Sequence, residues 1–200
     1  MLLNTDLTGL FGITLAIVTM FVRVRQVKSL PLPKRAGALA AAIVVLSIPL
    51  WGVSPAGFVR GMTGDLSITT LVLLALALVR SLSGRALFEE QERHATLKVI
   101  LIVAALFYPL VLGLGMFDPY RMGYGNLWFM VALLGVAVWA GMRNSTLLAL
   151  CIALAVAAWS VGWYESPNLW DYLLDPWLAV YALVTQGKDV WSHWRNRNHA

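Results

Sequence analysis

Five carboxylates, Asp65, Asp118, Glu165, Asp171 and Asp175, stand in or beside three short segments that also carry Arg60, Tyr120 and Arg121. These segments run Arg60–Asp65, Phe117–Asn126 and Trp163–Tyr172, each lying between apolar runs. Brought together, carboxylates beside arginines can bind a cationic or hydroxylated ligand, relay protons, or hold a divalent cation through oxygen. Carboxylates alone can also serve as general acid and base. A structural role competes with these. Asp65, Asp118 and Asp175 each precede a predicted helix, where a short acceptor caps free N–H groups and suits the positive end of the dipole. Asp118-Pro119 and Asp175-Pro176 show the cap-then-proline order favoured at a helix start. Asp171 and Asp175 interrupt an otherwise apolar run, so their charge needs a partner, for which Arg60 and Arg121 are the candidates.

The rest of the catalytic inventory is thin. His94, His193 and His199 lie beside charged residues and outside the apolar runs, and the lone Cys151 excludes an internal disulfide. No HExxH, GxSxG, CxxC or phosphate-loop pattern occurs, so neither a catalytic residue, a metal site nor a cofactor is assigned. Gly123-Tyr124-Gly125 matches three residues of a potassium-channel filter, but Arg121-Met122 precede it, and it reads as an external turn.

The elements that must position these residues are apolar. Sixty per cent of the 200 residues are hydrophobic and 12% charged, with a mean hydropathy of +0.74. A water-soluble fold of this size cannot hide so much apolar surface, so lipid is expected to solvate part of it. The chain reads as a single all-α domain over residues 1–200, a polytopic membrane helical bundle. Seven runs are drawn: about Leu7–Val22, Ala36–Val53, Leu66–Leu82, Val99–Met116, Leu127–Met142, Thr146–Trp163 and Leu169–Thr185. The N-terminus reads as a retained first span, not a cleavable leader.

Charge gives the threading. With seven spans, thirteen of the fifteen Lys and Arg residues share one side, leaving only Arg60 and Arg121 opposite, together with six acids including Asp6. Cytoplasmic flanks collect Lys and Arg, which places the N-terminus outside and the C-terminus in the cytoplasm. Six spans plus a re-entrant or interfacial helix over 169–185 is the rival, because Asp171 and Asp175 break that run. Between Ser83 and Lys98 the chain is expected to continue as helix, with Glu89 and Arg93 paired four residues apart. Ala149, Ala153 and Ala157 form a small-residue stripe suited to close helix contact, as do Ala38 and Ala42. In the tail, Trp191, Trp194, Arg195 and Arg197 suit the lipid interface.

The expected class follows: a non-catalytic integral membrane subunit of a larger assembly in a bacterial inner membrane, contacting the bilayer and another membrane protein. Clustering of the basic residues beside apolar runs argues against nucleic acid, despite a pI near 9.7. The alternatives are a small transporter or channel using the carboxylates, and a membrane enzyme acting at the outer surface on a lipid-linked substrate.

Overall fold

The computed structural model describes residues 5–50 and 52–197, without the side chains of Thr5, Arg25, His193, Asn196 and Arg197. Trp51, in the second predicted run, and Asn198 and His199, in the tail, therefore lie outside the described residues. Among the described residues the chain is all-helical, with no strand. Its helices are α1 (Thr5–Val22), α2 (Arg25–Lys28), α3 (Leu32–Ser47), α4 (Pro55–Thr63), α5 (Ile68–Ser83), α6 (Glu90–Val111), α7 (Leu127–Met142), α8 (Thr146–Ser160), α9 (Trp170–Leu173) and α10 (Pro176–Arg197). A 3-10 turn at Pro119–Gly123 joins α6 to α7.

Each of the seven predicted apolar runs overlaps one of the longer helices, and the fifth coincides with α7. Among the described residues one helix, α6, is long and apolar enough to cross a membrane. The apolar parts of α1, α5, α7 and α8 are shorter. A 16-residue helix reaches only about 24 Å, against about 30 Å of hydrocarbon. The second run stops at Ser47, ahead of Pro49, and the chain turns into the unforeseen short helix α4. α6 starts at Glu90, so the helix expected between Ser83 and Lys98 holds from Glu90 onward while 84–89 are not helical, and it ends before Gly113, which takes a positive φ. The last run is broken at Leu174–Asp175, and α10 then carries the tail as continuous helix to Arg197.

Burial explains the arrangement. Ile13, Leu71, Phe129, Ala155, Leu169 and Tyr172 form one core shared by α1, α5, α7, α8 and α9. α6 and α10 zip together through Leu97, Ile100, Ala104 and Phe107 against Leu178 and Ala182. α1 and α3 close over Val18, Val22 and Leu39. The two small-residue stripes behave differently. Ala42 packs into the α1–α3 core, whereas Ala153 and Ala157 are exposed and α8 buries Leu148, Cys151, Ile152 and Ala155 instead.

Charged side chains gather at the two ends of the bundle, with acids in excess at one and cations in excess at the other. Arg60 meets Asp6 and Asp65, and Tyr120 meets Asp171, at what we call the acidic end. At the basic end, Glu90 bridges Arg80 and Arg93, and the Arg35 guanidinium donates to the Ser81 carbonyl.

Candidate functional site

Asp65, Asp171 and Asp175 converge on one cavity of about 390 Å³ at the acidic end, which also takes in Tyr108, Tyr120 and Tyr164. Asp118, Arg121 and Glu165 stay exposed outside it. Three of the five predicted carboxylates are thus brought together, and each is already engaged.

Asp175 is 5% exposed and caps two helices at once. Its Oδ1 accepts the Leu178 N–H at 2.8 Å, in the first turn of α10. Its Oδ2 accepts the Ser67 N–H at 2.9 Å and the Thr70 hydroxyl at 2.5 Å, at the start of α5. Neither Arg60 nor Arg121 is its partner, a correction to the sequence expectation. Backbone and hydroxyl donors satisfy the buried carboxylate without a counter-ion, as helix N-termini can.

Asp65 does not cap α5; Ser67 does, accepting the Thr70 N–H at 3.2 Å. Asp65 turns back to Arg60 instead, which donates Nε to Asp65 at 2.6 Å and Nη1 to Asp6 at 3.0 Å. These two carboxylates, Asp65 before Asp6, hold the guanidinium proton above its ordinary range, with burial opposing. The pair fits against α1 because residue 9 is glycine. A Cβ there would stand 2.2 Å from Arg60 Nε and 2.3 Å from Asp65 Oδ1.

Asp171 accepts the Tyr120 hydroxyl at 3.0 Å and the Ser166 hydroxyl. It too lacks an arginine. Burial first, and then the Asp171 charge, pushes the Tyr120 phenol above its ordinary range. Tyr164 is pushed the same way, by burial and then by Asp65 and Asp175, and donates to the Leu66 carbonyl at 2.7 Å. Asp118 caps the 3-10 turn as expected, accepting the Tyr120 N–H at 3.0 Å.

Sequence reasoning missed the residue that joins the two long loops. Asn168 is fully buried, donates Nδ2–H to the Tyr120 carbonyl at 2.9 Å and accepts the Trp170 N–H at 3.0 Å. Gly123 is its seat: a Cβ there would come 1.7 Å from Asn168 Oδ1, and the Gly123 carbonyl accepts the Leu169 N–H at 2.9 Å. Gly123-Tyr124-Gly125 is therefore part of a fixed joint, with Gly125 at φ +77°, and not a loose external turn. Tyr172, also fully buried, accepts the Tyr164 N–H at 3.0 Å and faces the Tyr164 and Ser166 carbonyls. The one local signal was Ser166-x-Asn168, a pair prone to side-chain-to-backbone turns.

At the basic end Arg93 pairs with Glu90 at 2.8 Å, not with Glu89 as expected, and donates to the Tyr181 hydroxyl at 2.9 Å. Glu92 caps α8 by accepting the Leu147 N–H at 2.6 Å. Trp191 and Trp194 are exposed on one face of α10, their rings 5.4 Å apart, with Arg195 exposed beside them. The Arg197 side chain lies outside the described residues.

Among the described residues, no three His, Cys, Asp or Glu side chains are grouped to hold a metal ion. No family model matches the chain, and neither a curated protein nor a solved structure is significantly similar to it.

Proposed function

We propose that this chain is a non-catalytic integral membrane protein that docks onto a larger assembly, with its acidic end outside and its basic end in the cytoplasm. The observation that carries the reading is that every acidic-end carboxylate already has a partner. Asp175 caps helices, Asp65 and Asp6 hold Arg60, Asp171 holds Tyr120 and Ser166, Asp118 caps a turn, and Glu165 is engaged too. Such groups cross-link helix ends; they are poorly placed to trade protons with a substrate. An enzyme at the outer surface has the least support.

The docking surface is the outward side of α7 and α8. α7 packs chiefly against α8 and exposes Trp128, Val131, Leu134, Val138, Trp139 and Met142. On α8, Ala153 and Ala157 are exposed and offer the small-residue approach that membrane helices use. A bacterial inner membrane fits the thirteen-to-two division of Lys and Arg. Copurification in mild detergent tests the reading. Gly135 has open space where a Cβ would point, so Gly135→Leu leaves the bundle intact and releases the partner. A strictly monomeric chain with no stoichiometric partner contradicts it.

One observation favours a transporter as the second reading. Asp175 lines the acidic cavity, and its hydrogen-bond partner Thr70 lines a larger cleft that runs toward the basic end. Liposome flux abolished by Asp175→Asn in a protein that still folds would establish it.

A further inference from the structure

A cleft of about 1150 Å³ runs between α1, α5 and α10, from Thr63 and Leu66 near the acidic end to Arg80 and Glu90 at the basic end. It exceeds the roughly 300–1,000 Å³ of a small-molecule pocket. Along α5 it extends from Thr70 to Ser81, about 17 Å at the helical rise. Its walls are apolar for most of that length, with Ile13, Ile17, Leu73 and Ala77 among them. Only the mouth at the basic end is charged. Five cations, Arg23, Lys28, Arg35, Arg80 and Arg93, line it with the single carboxylate Glu90, an excess of four positive charges.

Glu90 is already shared between Arg80 and Arg93. Arg35 is half-buried and its guanidinium donates only to the carbonyls of Ser81, Lys28 and Leu30, while its buried Nε has no hydrogen-bond partner. A second orphan stands in the wall. Thr19 is 1% exposed, lines the cleft, and its hydroxyl is unpaired. Buried donors and unneutralised cations cost free energy until an acceptor, best an anion, reaches them.

We infer that this cleft is a binding site for an anionic lipid, its acyl chain along α5 and its phosphate against Arg35, Arg80 and Arg23. The apolar length calls for a chain and the mouth for an anionic headgroup. A free phosphate satisfies only the mouth. The site rests on the membrane reading above for its supply of ligand, but not for its geometry.

The test begins with fractionation, then equilibrates the full chain in maltoside detergent with equal phosphatidylglycerol and phosphatidylcholine, and reads bound lipid by native mass spectrometry. About tenfold enrichment of phosphatidylglycerol, at one per chain, is expected, because both headgroups offer a phosphate but only phosphatidylcholine brings a trimethylammonium cation into the positive mouth. Arg35→Gln combined with Arg80→Gln brings the two lipids to parity. Ala77→Trp fills the cleft, keeps every charge, and lowers retention of both; it decides the matter if the arginine variant does not fold. Excess inorganic phosphate leaves the bound phosphatidylglycerol in place. Equal retention of the two lipids by the native chain, enrichment unchanged in the arginine variant, total retention unchanged in Ala77→Trp, or displacement by phosphate overturns the site. A chain that resists carbonate washing yet shows no lipid preference removes this inference alone. One released by the wash that still selects phosphatidylglycerol removes the membrane reading alone.

Discussion

At the acidic end of the bundle, buried Asn168, Asp175 and Tyr172 bond to the backbone of other elements, while at the basic end Glu90, Arg80 and Arg93 pair close to water. The two ends carry charges of opposite sign, yet the larger contrast is in how those charges are held. A buried acceptor that satisfies several N–H groups cannot be removed without stranding them, whereas an exposed ion pair is replaced by solvent. One end is therefore a joint. The other is a charged mouth with unspent donors.

Substitutions that sharpen this contrast begin with Asp175→Ala, which strands donors at two helix starts and lowers stability by about 3 kcal/mol, read by thermal unfolding in detergent. Gly123→Ala drives a methyl into Asn168 and costs about 2 kcal/mol, with Asn168→Ala in the same chain relieving part of the loss. Arg60→Ala opens a partly buried ion cluster and costs about 1 kcal/mol. Arg80→Ala, whose pair with Glu90 is about half exposed on both sides, changes stability by less than about 0.5 kcal/mol. If Arg80→Ala proves as damaging as Asp175→Ala, the distinction between joint and mouth fails.

The smallest effect is on pH. Burial holds the Tyr120 and Tyr164 phenols neutral beyond their ordinary range near 10.0. The folded chain thus keeps protons that the unfolded chain releases, so stability present below pH of about 10 is lost as pH rises beyond it. Phenolate absorbance should show these tyrosines ionising after the exposed ones. Simultaneous ionisation of all tyrosines in the folded protein would contradict this.

Much of the scaffold was legible in the sequence because apolar runs, prolines and glycines act locally. α7 coincides with its predicted run, and the cap-then-proline order at Asp118 and Asp175 was read correctly. What stayed hidden depends on which loops meet. Asp65 and Ser67 are equally plausible caps for α5, and only the return of Arg60 toward α1 decides between them. Asn168 and Gly123 are 45 residues apart and matter only because their loops touch. That Asp175 would serve α5 as well as its own helix was likewise beyond any local pattern. The division of charge between the ends could be counted from residue numbers, but the unpaired Nε of Arg35 could not.

The most direct test of the account is the side of the membrane each end faces. In a Cys151→Ser background, Met116→Cys at the acidic end and Arg85→Cys at the basic end both place an exposed thiol. In intact cells an impermeant maleimide should label residue 116 and leave residue 85 untouched until the membrane is permeabilised. Labelling of residue 85 alone, or of both positions, would contradict the account.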